Sequence, residues 1–171
     1  IPLLALLSAC TKSNAPPSRY PAIGHLESFH ASFSDVVATD ARIEKLTEGF
    51  TWSEGPTWVR QGGYLLFTDV PENKLYRWSD DSGLSVFLSP SGYAGTDVAA
   101  LREAGANGLF AEPGGTVLLA DSGTRIVARL DPATRTKTPL ATSFDGKRFN
   151  SPNDVVRRED GVVFFTDPPY G

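Results

Sequence analysis

The sequence contains no methionine, one cysteine and two histidines in 171 residues. Because it lacks Met and opens inside an apolar run, we read it as a fragment of a longer protein. A lone Cys10 allows no intrachain disulfide, and His25 and His30 both fall in the N-terminal tail. The remainder therefore has no imidazole for a Ser-His-Asp triad, a Cys-His pair or a His-ligated zinc. No block of basic residues is present: 16 Lys+Arg stand against 20 Asp+Glu, for a net charge of -4, so nucleic acid is not expected as a partner. The one long apolar run, Ile1 to Ala9, falls short of the roughly 20 residues that a transmembrane helix needs. With 40% hydrophobic residues, the rest is expected to be soluble and to make about one globular domain.

Residues 1–10 read as the end of a lipoprotein-type signal peptide, with small residues before a cleavage point. Leu7-Ser8-Ala9-Cys10 resembles the bacterial lipobox, in which the Cys is lipidated and becomes the first mature residue. Residues 11–40 are polar and Pro-rich at their start, as a tether would be, and 41–171 form the folded domain. This implies an exported, periplasmic or cell-surface lipoprotein that meets the membrane only through a lipid on Cys10. Thr11 after the Cys, rather than Asp, points to the outer membrane if the cell has two. The alternative is a buried Cys behind a chance hydrophobic stretch.

Three segments of the domain repeat. The heads are Glu54-Gly55-Pro56-Thr57-Trp58, Asn107-Gly108-Leu109-Phe110-Ala111 and Asn153-Asp154-Val155-Val156. They lead to apolar runs that end at Asp69, Asp121 and Asp167, with Gly63, Gly115 and Gly161 each six positions before the Asp. Head and Asp are 15, 14 and 14 positions apart. Each unit holds short β-branched and aromatic runs between Gly, Pro, Asn and Asp turns: Tyr64 to Thr68, Lys74 to Trp78 and Leu84 to Leu88 in the first, Ile126 to Leu130 and a weaker Thr138 to Ala141 in the second. Helical periodicity is confined to Asp97 to Ala104, a short turn or helix within a long loop. An all-β unit of about 45 to 50 residues with four strands fits a propeller blade better than a solenoid or a sandwich. Three units do not close a ring, so we expect a partial β-propeller whose third blade is incomplete.

Strands nearest a propeller axis bring equivalent residues together. Glu54, Asn107 and Asn153 would then supply one carboxylate and two amide oxygens, a donor set suited to a hard divalent cation. The alternative is that Glu and Asn beside Gly are turn residues. For Asp69, Asp121 and Asp167 the expectation is capping of the following turn. Trp52, Trp58, Phe67, Phe164 and Phe165 read as inter-blade packing.

Ser53-Glu54-Gly55-Pro56-Thr57-Trp58, Leu66 to Trp78, Asn107-Gly108-Leu109, Gly146 to Val156 and Phe165-Thr166-Asp167-Pro168-Pro169-Tyr170-Gly171 together resemble the gluconolactonase branch of the senescence-marker-protein/gluconolactonase/luciferin-regenerating family. The resemblance spans about Leu46 to Gly171. It implies a six-bladed propeller with one catalytic divalent cation in its channel, Ca²⁺ foremost, with Mg²⁺, Mn²⁺ or Zn²⁺ as alternatives. It carries the metal-ligand role to Glu54 and Asn153, and a substrate contact to Asn107. The later Asn and Asp ligands of the family have no counterpart here. The implied activity is hydrolysis of a sugar lactone, the cation polarising the carbonyl for attack by water. Asp154 and Asp167 are the visible carboxylates that could assist as base, and Tyr170 could touch the small-molecule lactone at the channel mouth. Two other functions remain open: a surface-anchored propeller that binds a ligand without chemistry, and a hydrolase of a phosphotriester or another lactone.

Overall fold

A computed structural model describes residues 18–171, which leaves the signal-like segment and Cys10 outside the described residues. The chain divides into two units, Ile1–Glu48 and Gly49–Gly171. In the first, a 3-10 turn spans Ala31–Asp35, and His30 caps it by accepting a hydrogen bond from Ser32 N at 3.2 Å. An isolated antiparallel bridge joins Ala22 to Glu44. None of the turn's residues is buried. Among the described residues no helix is long and apolar enough to cross a membrane.

The second unit is built of antiparallel strands. Strands β1 (Ser53–Val59), β2 (Tyr64–Asp69), β3 (Lys74–Ser79) and β4 (Gly83–Leu88) form one four-stranded sheet in sequential order. Strands β5 (Leu109–Ala111), β6 (Val117–Asp121), β7 (Ile126–Asp131) and β8 (Thr136–Ala141) form the next in the same order. A small hairpin, β9 (Ser143–Phe144) and β10 (Lys147–Arg148), turns at Asp145-Gly146, both at positive φ, and was not foreseen from the sequence. Strands β11 (Val155–Arg157) and β12 (Val163–Phe165) then open a third sheet. The described residues thus form two four-stranded propeller blades and the inner hairpin of a third. The expected helical stretch at 97–104 is a single 3-10 turn, Val98–Ala100.

The repeated Gly and the uneven head-to-Asp spacing both find their cause in the inner hairpins. Gly63, Gly115 and Gly161 close them at φ +61°, +91° and +96°, a conformation that side chains disfavour. In the first hairpin Val59 pairs with Tyr64 across four turn residues. In the second and third, Glu112 N donates to Thr116 O and Arg158 N to Val162 O, leaving three residues in each turn. The additional turn residue is the reason that the first spacing is 15 rather than 14.

Blade stacking follows from the two-residue period of a strand, which sends successive side chains to opposite faces. Along β6, Val117 and Leu119 join Val59, Leu66, Leu75, Phe87, Leu109 and Leu130 in one core, between the first two blades. Leu118 and Ala120 join Val127 and Val155 in another, between the second and third. Every residue of β6 is buried, so the strand reads as a continuous apolar run rather than an alternating one. Each fully buried Leu or Val contributes about 1.5–3 kcal/mol.

The expected aromatic packing holds for part of the set. Phe165 packs edge-on against Phe149, ring centres 4.9 Å apart. Phe67 instead joins Phe50 and Tyr76 in an aromatic cluster, at 4.9 and 5.5 Å. Trp52, which precedes β1, and Trp58 and Phe164 within their strands are each about half exposed and belong to neither core.

Two buried carboxylates, Asp121 and Glu112, organise the ion pairs of the second blade. Asp121 is fully buried and receives Lys137 Nζ at 2.8 Å; the same ammonium donates to the carbonyls of Ser91 and Gly92, which pins the 89–106 loop to the outer strand of the second blade. Glu112 accepts from Arg129 Nε at 2.6 Å and Nη2 at 3.0 Å, and from Thr116 Oγ1 at 2.7 Å, while Arg157 of β11 lies 3.4 Å away. Burial on its own would raise the Glu112 carboxyl, but the Arg129 and Thr116 hydrogen bonds and the two guanidinium charges outweigh it and hold the group below the usual carboxylate range. A carboxyl lowered in the folded state stabilises the fold fully above its ordinary value of about 4.5, and that contribution is lost as pH falls through the lowered folded value. Glu112→Gln should therefore lower stability at neutral pH and flatten the loss of stability below about pH 4.5, which denaturant midpoints across pH will show.

Candidate functional site

The three heads share one backbone device. In β1 the register shifts by one residue between Glu54 and Thr57, with Glu54 opposite Thr68. In the second blade Asn107 N donates to Ala120 O at 2.8 Å while Ala120 N donates to Gly108 O at 3.0 Å, so two residues face one. In the third, Asn153 N donates to Thr166 O at 2.9 Å and Thr166 N to Asp154 O at 3.0 Å. Each head is thus the first residue of a bulge, the irregularity that re-aims a side chain at a sheet's end.

The bulges pack on one another. Gly55, at φ +53°, lies so close to the next inner strand that a Cβ would sit 2.5 Å from Asn107 O and 2.8 Å from Gly108 Cα. Gly108 repeats the contact one blade further: its Cβ would sit 2.7 Å from Asp154 Cα and 2.8 Å from Asn153 O. Gly108 N donates to Asn153 O at 2.7 Å, and Thr68 Oγ1 lies 3.0 Å from Asn107 O. In the third unit Asp154 takes the place held by glycine in the other two.

Between the heads lies a pocket of about 400 Å³, lined by Glu54, Asn107, Asn153 and Asp154 along with Gly55, Pro56 and the first residues of β5 and β11. Four of the residues singled out from the sequence therefore converge. Among the described residues no three acidic, His or Cys side chains cluster, so a cation here would rest on a mixed set of carboxylate and amide oxygens. That mixed set fits a hard divalent ion in chemistry, though it falls short of the roughly six to eight oxygens that Ca²⁺ takes.

Asp167 and Tyr170 do not line the pocket. The Asp167 oxygens accept from Asn150 N and Ser151 N, both at 2.9 Å, and Tyr170 is half exposed, its N–H bonded to Ser151 Oγ at 3.1 Å. Asp69 makes the same brace, accepting from Thr51 N and Trp52 N at 2.9 and 3.1 Å. The repeated Asp thus reaches back to the segment entering the inner strand in two blades; Asp121 alone follows the expected pattern, capping the next turn at Thr124 N.

Sequence reasoning missed two residues. Trp52 Nε1 donates to Glu54 Oε1 at 3.1 Å; a spacing of two across the entry to β1 was the available signal. Glu103, in the loop before β5, is 2% exposed, and its Oε2 has no hydrogen-bond partner. Burial raises its carboxyl above the usual range and the Glu54 carboxylate adds to this, against the opposing pull of Arg102 and of the neighbouring Ser122 and Asn107 side chains. Its signal was an acidic residue four positions before a head in a loop otherwise rich in Gly and Ala.

Residues 52–171 match the SMP-30/Gluconolactonase/LRE-like region. A gluconolactonase of Zymomonas mobilis is 43% identical over 150 residues, which make up 87% of this chain and 42% of that protein. A solved structure assigned as a candidate gluconolactonase has a TM-score of 0.73 at 33% identity, over 85% of this chain and 46% of the other. A gluconolactonase of Xanthomonas campestris, described as important in glucose secondary metabolic pathways, has a TM-score of 0.69 at 29% identity, over 90% and 45%. A streptogramin B lyase, 16% identical with a TM-score of 0.52 over 71% of this chain and 36% of its own, shares the fold alone. The chain spans less than half the length of these relatives.

The close approach of the bulges gives a direct expectation. Gly108→Ala forces a methyl into the Asn153-Asp154 backbone and should cost about 1–3 kcal/mol, the usual range for overpacking, as measured by equilibrium denaturation.

Proposed function

This chain belongs to the SMP-30/gluconolactonase/LRE-like family, and on that premise we propose that the full-length protein hydrolyses a sugar lactone with the help of one divalent cation. The observation that carries the proposal is the convergence of Glu54, Asn107, Asn153 and Asp154 on one pocket by the same bulge in three successive inner strands. The names of the relatives support the reaction class.

In this reading Glu54 and Asn153 hold the cation, Ca²⁺ first among hard ions, with further oxygens from water or from the part of the relatives' length that this chain does not span. A cation so held would polarise the lactone carbonyl and stabilise the oxyanion formed on attack by water. Trp52 fixes the Glu54 carboxylate through its indole N–H, which removes rotamer freedom before any ligand binds. The Gly108 N–H on Asn153 O holds the third head at a set distance from the second. Asn107, 4% exposed, offers an amide to the ring or exocyclic oxygens of the substrate. Asp154 is the carboxylate that shares the pocket and is exposed to solvent, and it takes the proton of the attacking water; Asp167 serves as a backbone brace. Export as a lipoprotein anchored through Cys10 completes the proposal; the lipobox-like Leu7-Ser8-Ala9-Cys10 supports it.

Hydrolysis of D-glucono-1,5-lactone by the full-length protein, stripped with a chelator and supplied with single cations, tests the chemistry. We expect activity to vanish and return with one metal, and Glu54→Gln to lower it at least about 100-fold while the fold persists. A folded, metal-loaded protein that turns over no lactone would favour the phosphotriester or binding reading. Separately, Cys10→Ser should move the protein from the membrane to the soluble fraction; unchanged detergent partitioning would remove the lipid anchor.

A further inference from the structure

An Asn or Asp that precedes glycine carries a latent reaction: the glycine nitrogen can attack the side-chain carbonyl carbon and close a cyclic imide, since no Cβ on the glycine blocks its approach. The sequence holds three such pairs, Asn107-Gly108, Asp145-Gly146 and Asp160-Gly161. Attack requires a nitrogen free of hydrogen bonds, a side chain free to turn towards it, and a backbone that can move. Asn107-Gly108 meets none of these conditions. Gly108 N donates to Asn153 O at 2.7 Å, Asn107 is 4% exposed, and the Gly108 backbone is wedged against Asn153-Asp154. At Asp160-Gly161, Gly161 N donates to Arg158 O at 3.0 Å. The Asp160 carboxylate there is held by Arg158 Nε at 2.9 Å and Nη2 at 2.7 Å, and by Val162 N at 3.2 Å.

Asp145-Gly146 differs in every respect. Neither Gly146 N nor the Asp145 carboxyl has a hydrogen-bond partner among the described residues, and residues 142–148 are all exposed. Beyond the chain neighbours, nothing lies within 4 Å of the place a Gly146 Cβ would take. The turn is held only by β9 and β10, two residues each, and so short a hairpin is marginal by itself. Local opening releases Asp145 from its φ of +49° and lets the side chain meet the nitrogen.

We propose that Asp145-Gly146 is a modification site, at which aspartate rearranges spontaneously to isoaspartate in the folded protein, while the bond from Gly108 to the third unit protects Asn107-Gly108 from the same chemistry. First, Gly146 N bonds to Asp145 Cγ, and its proton leaves with the carboxyl O–H as water. Water then adds to the imide at the Asp145 main-chain carbonyl carbon and the C–N bond there breaks, so the chain now runs through Cβ and Cγ. One water leaves and one enters, with no change of oxidation state. The longer main chain undoes the pairing of Phe144 with Lys147. The third head keeps its place, because Phe149 packs on Phe165 and Asp167 holds the N–H groups of Asn150 and Ser151.

The test is the uptake of heavy oxygen from labelled water at neutral pH, read by mass spectrometry of peptides digested afterwards in ordinary water. Folded full-length protein should gain one labelled oxygen in the peptide that carries Asp145 and none in those that carry Asn107 or Asp160. Held in denaturant, it should gain label at Asn107 as well. Asp145→Asn, which keeps a residue that this turn favours, should take up label faster, because ammonia leaves an amide more readily than water leaves a carboxylate. Asp145→Ser should lose the label. No label at Asp145 in the folded protein, or equal labelling of Asn107 in the folded and unfolded protein, would overturn the proposal.

Discussion

The contact on which the rest of this structure depends is backbone against backbone. Gly55 lies on Asn107-Gly108, and Gly108 lies on Asn153-Asp154, at separations that no side chain could tolerate. Polar main chain this close must satisfy itself, and it does so through the Gly108 N–H on Asn153 O and the Thr68 hydroxyl near Asn107 O. Beyond this contact apolar side chains fill the space between the sheets, Leu66 and Leu119 in one core and Leu118 and Val155 in the other. Narrow spacing at one end and filled wedges beyond it are what make stacked sheets radiate.

Much of this was legible in the chain. The repeated heads, the Gly six positions before each Asp and the β-branched runs identified the blades, and the strands end within a residue or two of where the pattern placed them. Glu54, Asn107 and Asn153 were legible as a converging set because equivalent positions of equivalent units converge in any radial fold. What could not be read was anything set by pairing across strands. A bulge is a mismatch between two strands and leaves no mark in either one alone. The Asp residues illustrate the same limit: Asp69 reaches back 18 and 17 residues and Asp167 reaches back 17 and 16 to hold N–H groups, whereas turn chemistry concerns the next three or four positions.

The loop at 89–106 shows how a segment of poor composition can still be specified. Its Gly and Ala carry little chemistry, yet Lys137 binds two of its carbonyls, Asn73 takes the Gly92 N–H at 2.7 Å, and Ser91 Oγ takes the Ala106 N–H at 3.1 Å. The polar groups that fix it lie largely outside its own sequence. That anchoring carries Glu103 into the interior, where it is 2% exposed.

The bulges at the heads also bear on how such a site could change over evolutionary time. One backbone arrangement carries Glu in the first unit and Asn in the second and third, so the conformation at the head is indifferent to which donor it presents. A residue lifted out of the regular ladder has few neighbours to satisfy, and both wedges of core lie behind it. Exchanging donors there would alter the charge and hardness of the cavity while the blades stayed as they are. Under the proposed reading, such a scaffold would let the donor change by single substitutions while the blades stay folded.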